Sequence, residues 1–105
     1  MLDLTIYKSR YYDVKINDEE VIHLEMPKKK QLKSIISLTK NLNSKDLNED
    51  DIDSLYEASL IAFNKNKEGR VFTEDEIEDI LGINSLYAFF NGYYSWVAEN
   101  INQKN

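Results

Sequence analysis

Tyr11-Tyr12-Asp13-Val14-Lys15-Ile16-Asn17-Asp18-Glu19-Glu20-Val21-Ile22-His23-Leu24-Glu25-Met26-Pro27 decides the fold class. Tyr12, Val14 and Ile16 alternate with Tyr11, Asp13 and Lys15. After Asn17-Asp18-Glu19, Ile22, Leu24 and Met26 alternate with Val21, His23 and Glu25. Two period-2 runs about an Asn-Asp turn predict a β-hairpin over about 11–26, with one apolar face. A lone hairpin is marginal in water, so that face must lie on something. Leu2, Leu4 and Ile6 also alternate and offer a third strand.

Beyond the hairpin the period changes. Pro27 closes the strand and suits the first turn of a helix. Leu32, Ile35, Ile36, Leu38 and Leu42 then follow at helical spacing, predicting a helix over about 28–42. Asn48 is placed to cap a second helix, about 49–64, with Glu49, Asp50 and Asp51 in its first turn. Its expected buried stripe is Ile52, Leu55, Tyr56, Ser59, Leu60 and Phe63. Asn64 to Arg70 reads as a loop. Thr73 with Glu76 fits a capping box, with Val71 or Phe72 as the staple, opening a short helix over about 74–81 that stops at Gly82. Asn84 is placed to cap the last helix, about 85–100. The expectation is one domain over 1–105, an α+β, mainly helical fold with an N-terminal hairpin and four helices.

A chain of 105 residues buries roughly two-thirds of its unfolded surface, enough for a modest core. It has no Cys, so disulfide and thiolate chemistry are excluded. The start has no basic flank and no sustained apolar run, which predicts neither a signal peptide nor a membrane span, and hence a cytoplasmic protein with no membrane partner. The net charge is -6 and the pI about 4.7, which gives no general attraction for a phosphate backbone. The acids gather at Asp46 to Asp53 and Glu74 to Asp79. The bases gather at Lys28, Lys29, Lys30 and Lys33, where they solvate a helix start or meet an acidic partner.

The catalytic inventory is thin. His23 is the only His, and no nucleophile is near it in sequence. Asp46 to Asp51 lacks the alternating oxygen ligands and central Gly of an EF-hand loop. The three Gly are isolated, so no phosphate cradle is present. No catalytic residue, cofactor or metal is expected, and the chain reads as no enzyme.

The notable excess is aromatic. Leu86-Tyr87-Ala88-Phe89-Phe90-Asn91-Gly92-Tyr93-Tyr94-Ser95-Trp96-Val97 holds five of the chain's 7 Tyr and 4 Phe and its only Trp. On a helical wheel Leu86, Phe90, Val97 and Ile101 form one band. Tyr87, Tyr94 and Ala98 flank it on one side, and Phe89, Tyr93 and Trp96 on the other. The combined arc is roughly 200°, about twice what a surface helix needs. Asn91, Gly92, Ser95 and Glu99 fill the remainder. Two readings fit. Either the helix is central and all its aromatics are core, or the band is core and a flank binds protein. Tyr87, Phe89, Tyr93, Tyr94 and Trp96 are the protein-binding candidates, because Tyr and Trp give large contact area with one polar atom each. Phe89, Tyr93 and Trp96 are the expected outer flank, and Gly92 would let another backbone approach. No Lys or Arg lies between Val71 and Gln103, so nucleic acid is not expected to stack here.

The hairpin Tyr12 to Met26 runs into Pro27-Lys28-Lys29-Lys30-Gln31-Leu32. The block Gly69-Arg70-Val71-Phe72-Thr73 leads through Ile77-Glu78-Asp79-Ile80-Leu81 into the aromatic helix. In these residues, and over most of its length, the chain resembles the tail assembly chaperones of long-tailed, non-contractile phages (siphophages), especially those of low-GC Gram-positive hosts and prophages. The resemblance implies a non-catalytic protein, absent from the mature virion. Such a protein binds the tape-measure protein, recruits tail-tube subunits and self-associates in the host cytoplasm. A ribosomal frameshift often extends members of this family. Gln103-Lys104-Asn105 are encodable by an A-rich slippery heptamer, or are an ordinary Lys-Asn tail. The competing expectation is an acidic antagonist (an immunity protein, antitoxin or DNA mimic) that binds a basic partner through its clustered carboxylates.

Overall fold

A computed structural model describes residues 1–42 and 45–101, with the side chains of Lys8 and Ser9 excepted. The hairpin forms as expected. Strands β1 (Tyr12–Asn17) and β2 (Glu20–Leu24) pair antiparallel, with Tyr12 opposite Leu24 and Val14 opposite Ile22. A register shift falls between Lys15 and Asn17, beside the turn. Four helices follow: α1 (Lys29–Leu38), α2 (Glu49–Phe63), α3 (Glu74–Ile80) and α4 (Ile83–Ile101). The architecture is therefore α+β, a two-stranded hairpin and four helices.

No third strand forms from the N-terminal segment. Leu4–Ser9 is a 3-10 helix, because Asp3 accepts a hydrogen bond from the Thr5 backbone N–H at 3.0 Å and caps a turn instead. Leu2, Leu4 and Ile6 are all exposed. The free edge of β2 is used by the segment read as a loop. Glu25 N–H donates to the Lys65 carbonyl at 2.8 Å, Lys67 N–H donates to the His23 carbonyl at 2.8 Å, and Leu24 bridges to Asn66. Asn66 makes this turn rigid. Its amide donates to the Phe63 and Arg70 carbonyls at 2.7 Å each and accepts from Arg70 N–H at 2.8 Å.

Side-chain caps explain where two of the four helices begin. Asn48 and Asp51 close a reciprocal box at α2, and Thr73 and Glu76 close one at α3. Phe72, at the position before Thr73, is buried, whereas Val71 points out at 78 % exposure. Pro27 precedes the α1 cap, Lys28, rather than entering the first turn. The α1 helix stops at Leu38, short of the expected Leu42; the Thr39 hydroxyl turns back to the Ile35 carbonyl at 2.7 Å. Asn84 lies within the first turn of α4 and is not its cap. Gly82 follows the α3 cap, Leu81, as expected, but keeps a negative φ.

The core gathers Ile22 and Leu24 from the hairpin, Ile35 from α1, Phe63 from α2, Ile77 from α3 and the inner face of α4. On α2 the buried face is Leu55, Ala58, Ser59, Ala62 and Phe63. It is turned from the expected stripe toward two alanines, which permit close approach of a neighbouring backbone. Ile52, Tyr56 and Leu60 are half-buried, and Ile36 on α1 is exposed.

Candidate functional site

The aromatic helix α4 owes its setting to one small residue. A Cβ placed on Gly92 would lie 3.2 Å from Cζ of Tyr12 and closer still to its hydroxyl. The hairpin's first tyrosine therefore fills the notch that the glycine leaves. From there Tyr12 reaches Trp96, Tyr93 and Phe89 at centroid distances of 5.8, 6.1 and 6.4 Å. The chain of rings continues: Phe89 stacks with Tyr93 at 5.5 Å and meets Phe63 at 5.0 Å, and Phe63 meets Phe72 edge-on at 5.5 Å. Rings in such tilted and edge-to-face pairs contribute beyond their buried area.

This geometry corrects the expected outer flank. Phe89 is 7 % exposed and Tyr93 0 %, so neither presents a face to a partner in this fold. Trp96 is half-buried against the core. Gly92 admits the chain's own Tyr12, not a foreign backbone. The wheel puts Gly92 in the polar remainder; a glycine has no side chain to show which way it faces. The buried arc in fact starts at the glycine edge and runs through Phe89, Tyr93, Leu86, Val97 and Phe90.

The other two candidates differ. Tyr94 is half-buried, and its hydroxyl meets the Thr39 hydroxyl and donates to the Ile35 carbonyl at 3.3 Å. Burial pushes the Tyr94 hydroxyl above its ordinary pKa, against the opposing Thr39 hydrogen bond. Tyr93 is pushed higher still, by burial first and by Tyr94 second. Its hydroxyl has no hydrogen-bond partner among the described residues. Tyr87 stands 54 % exposed. With it on the same side of α4 lie Ile83, Ala98 and Ile101, all exposed; Ile83 and Tyr87 are one turn apart, as are Ala98 and Ile101, and Tyr94, packed on α1, sits between the two pairs along this stripe. The wheel assigns Ile101 to the core band, but the rotation toward Tyr12 leaves it outside.

His23 has a structural setting. Its Nδ1 lies 2.6 Å from Oε2 of Glu68 and its Nε2 3.7 Å from Asp13, while Glu68 also accepts from His23 N–H at 3.1 Å. That backbone hydrogen bond is the main reason the Glu68 carboxyl lies below its ordinary pKa. The cluster pins β2 to the α2–α3 turn. Arg70 does the same nearby, pairing with Glu20 and with Glu76, the latter at 3.4 Å, over the Phe72 ring. Among the described residues no group of three or more His, Asp or Glu is placed to hold a metal ion.

Carboxylates also converge. Asp53, Glu57, Glu74 and Glu78 surround a recess of about 390 Å³ between α2 and α3. Tyr56 lies in it and donates to the Leu81 carbonyl at 2.8 Å; burial first, and Glu78 second, raise its pKa. No described helix is long and apolar enough to cross a membrane. Residues 103–105, which are either encodable by slippery codons or an ordinary tail, lie outside the described residues. Comparison of the chain with family models, with curated proteins and with solved structures finds no match.

Proposed function

We propose that the chain is a non-catalytic tail assembly chaperone that holds a helical segment of a tape-measure protein on the outer stripe of α4. The observation that carries the reading is this stripe. Ile83, Tyr87, Ala98 and Ile101 are exposed, outside the core that Leu86, Phe89, Phe90, Tyr93 and Val97 enter from the same helix. The resemblance in the hairpin, the Gly69–Leu81 block and the aromatic helix supplies the partner's identity. A long, apolar-faced helix suits such a stripe, since helix faces are read at i, i+4 and similar spacings. In this reading the chaperone covers the tape-measure protein, brings tail-tube subunits to it and self-associates along it. It acts in the host cytoplasm and leaves before the virion is complete. The test is co-expression with a tape-measure protein from the same genome. The tape-measure protein is expected to shift from aggregate to soluble complex; unchanged solubility and no co-purification overturn the reading.

A second reading rests on the acidic recess. Four carboxylates around one hollow favour a cationic partner, as in an acidic antagonist. That reading predicts binding that weakens steeply with salt and is lost on charge reversal at Asp53 and Glu74. The tape-measure reading predicts that the same reversals leave co-purification intact.

A further inference from the structure

A crevice of about 640 Å³ opens where the N-terminal 3-10 helix crosses the end of β2 and the α2–α3 turn. Its lining divides by chemistry. Leu4, Tyr7 and Met26 are apolar, and Arg10, Lys28 and Lys65 bring three cations against a single carboxylate, Glu25. That carboxylate is already satisfied, with Lys65 Nζ at 3.2 Å. Arg10 lies over the Tyr7 ring at 5.0 Å and donates to the Asn100 side-chain carbonyl at 3.4 Å, both neutral partners. Among the described residues neither Arg10 nor Lys28 meets a carboxylate. Two cations without a counter-charge among the described residues thus line a largely apolar hollow, in a chain whose net charge is -6. The volume lies within the usual range for small-ligand pockets, roughly 300–1,000 Å³.

We infer that this crevice binds a small amphipathic carboxylate, an aliphatic or aromatic acid. Arg10 and Lys28 hold the head group, and Leu4, Tyr7 and Met26 receive the body. A guanidinium matches a carboxylate by paired N–H donors, and Lys28 adds a point charge beside it. The inference does not rest on the tail-assembly reading, because the crevice lies apart from the outer stripe of α4.

Decanoate and decyltrimethylammonium, each below its micelle concentration, and decanol, below its solubility limit, are titrated into the purified chain and followed by NMR and calorimetry. Decanoate is expected to bind saturably and to shift the Met26 methyl and Arg10 side-chain signals. Decanol should bind about tenfold more weakly, the factor for losing one charge-assisted hydrogen bond, and the cationic analogue not measurably. Lys28→Gln, at an exposed position that leaves the fold intact, should weaken decanoate by about tenfold, and Arg10→Gln with Lys28→Gln further. Lys33→Gln should change nothing. Equal affinity for decanol and decanoate, unchanged binding by Lys28→Gln, or no saturable binding of decanoate overturns the inference.

Discussion

An alanine at position 92 would have to displace the Tyr12 ring, and the rings beyond it leave that side chain little room. Overpacking of this kind typically costs about 1–3 kcal/mol. Gly92→Ala is therefore expected to lower stability by about that amount in chemical denaturation. Tyr12→Phe, by removing the colliding oxygen, should recover some of the loss in the double variant. Additive losses would mean that the two residues do not meet. The neighbouring tyrosines supply a second contrast. Tyr93 buries a hydroxyl without a partner among the described residues, so Tyr93→Phe should be neutral or stabilise by up to about 1 kcal/mol. Tyr94 shares its hydroxyl with Thr39 and Ile35, so Tyr94→Phe should cost about 1 kcal/mol. The same assay on both variants decides whether the two hydroxyls are in these settings; a reversed order would show that they are not.

At the scale of elements, α3 is held by its ends. The Glu76 carboxyl lies below its ordinary value of 4.5, chiefly because it accepts from the Thr73 backbone N–H, with Thr73 and Arg70 side chains adding to the effect against desolvation. A lowered folded-state pKa means that the stabilisation is present above the unfolded value and lost as pH falls through the folded one. Stability should therefore decline as pH drops below about 4.5, and Glu76→Gln should flatten some of that decline. A denaturation series from pH 7 to pH 3 checks it; identical pH profiles for the two proteins would remove Glu76 from the account. This cap was legible in the sequence, as were the hairpin, the Asn48 cap and the four helices. Alternation and capping are local rules, and a single segment displays them. Three features were not legible, because each depends on contacts that the pattern alone does not show. The Lys65–Lys67 segment pairs with β2 only when the turn folds back. Asp3 stops the Leu2-Leu4-Ile6 alternation from becoming a strand. The rotation of α4 is set by Tyr12, some eighty positions before Gly92 in the chain. The wheel recovers the extent of the apolar arc, but it centres burial on the Leu86–Ile101 band and leaves Phe89 and Tyr93 to the outside.

At the scale of the molecule, the aromatic wealth of α4 divides into two roles. Phe89, Phe90 and Tyr93 join the hairpin and the other helices in one core. Tyr87, with Ile83, Ala98 and Ile101, is left outside that core and forms the proposed contact for a tape-measure helix. The two roles separate under mutation. Truncating the inner rings should unfold the protein before binding can be read, since a Phe→Ala change in a core costs about 3–5 kcal/mol. Truncating Tyr87 should leave stability within about 0.5 kcal/mol, as for other exposed positions. The most direct measurement is the affinity of wild type and Tyr87→Ala for a tape-measure segment, with unfolding midpoints recorded on the same samples. An unchanged midpoint with binding weakened by about 30-fold, the loss of a contact worth about 2 kcal/mol, is the expected result. Equal affinity for wild type and Tyr87→Ala, at equal stability, would contradict the assignment of this face.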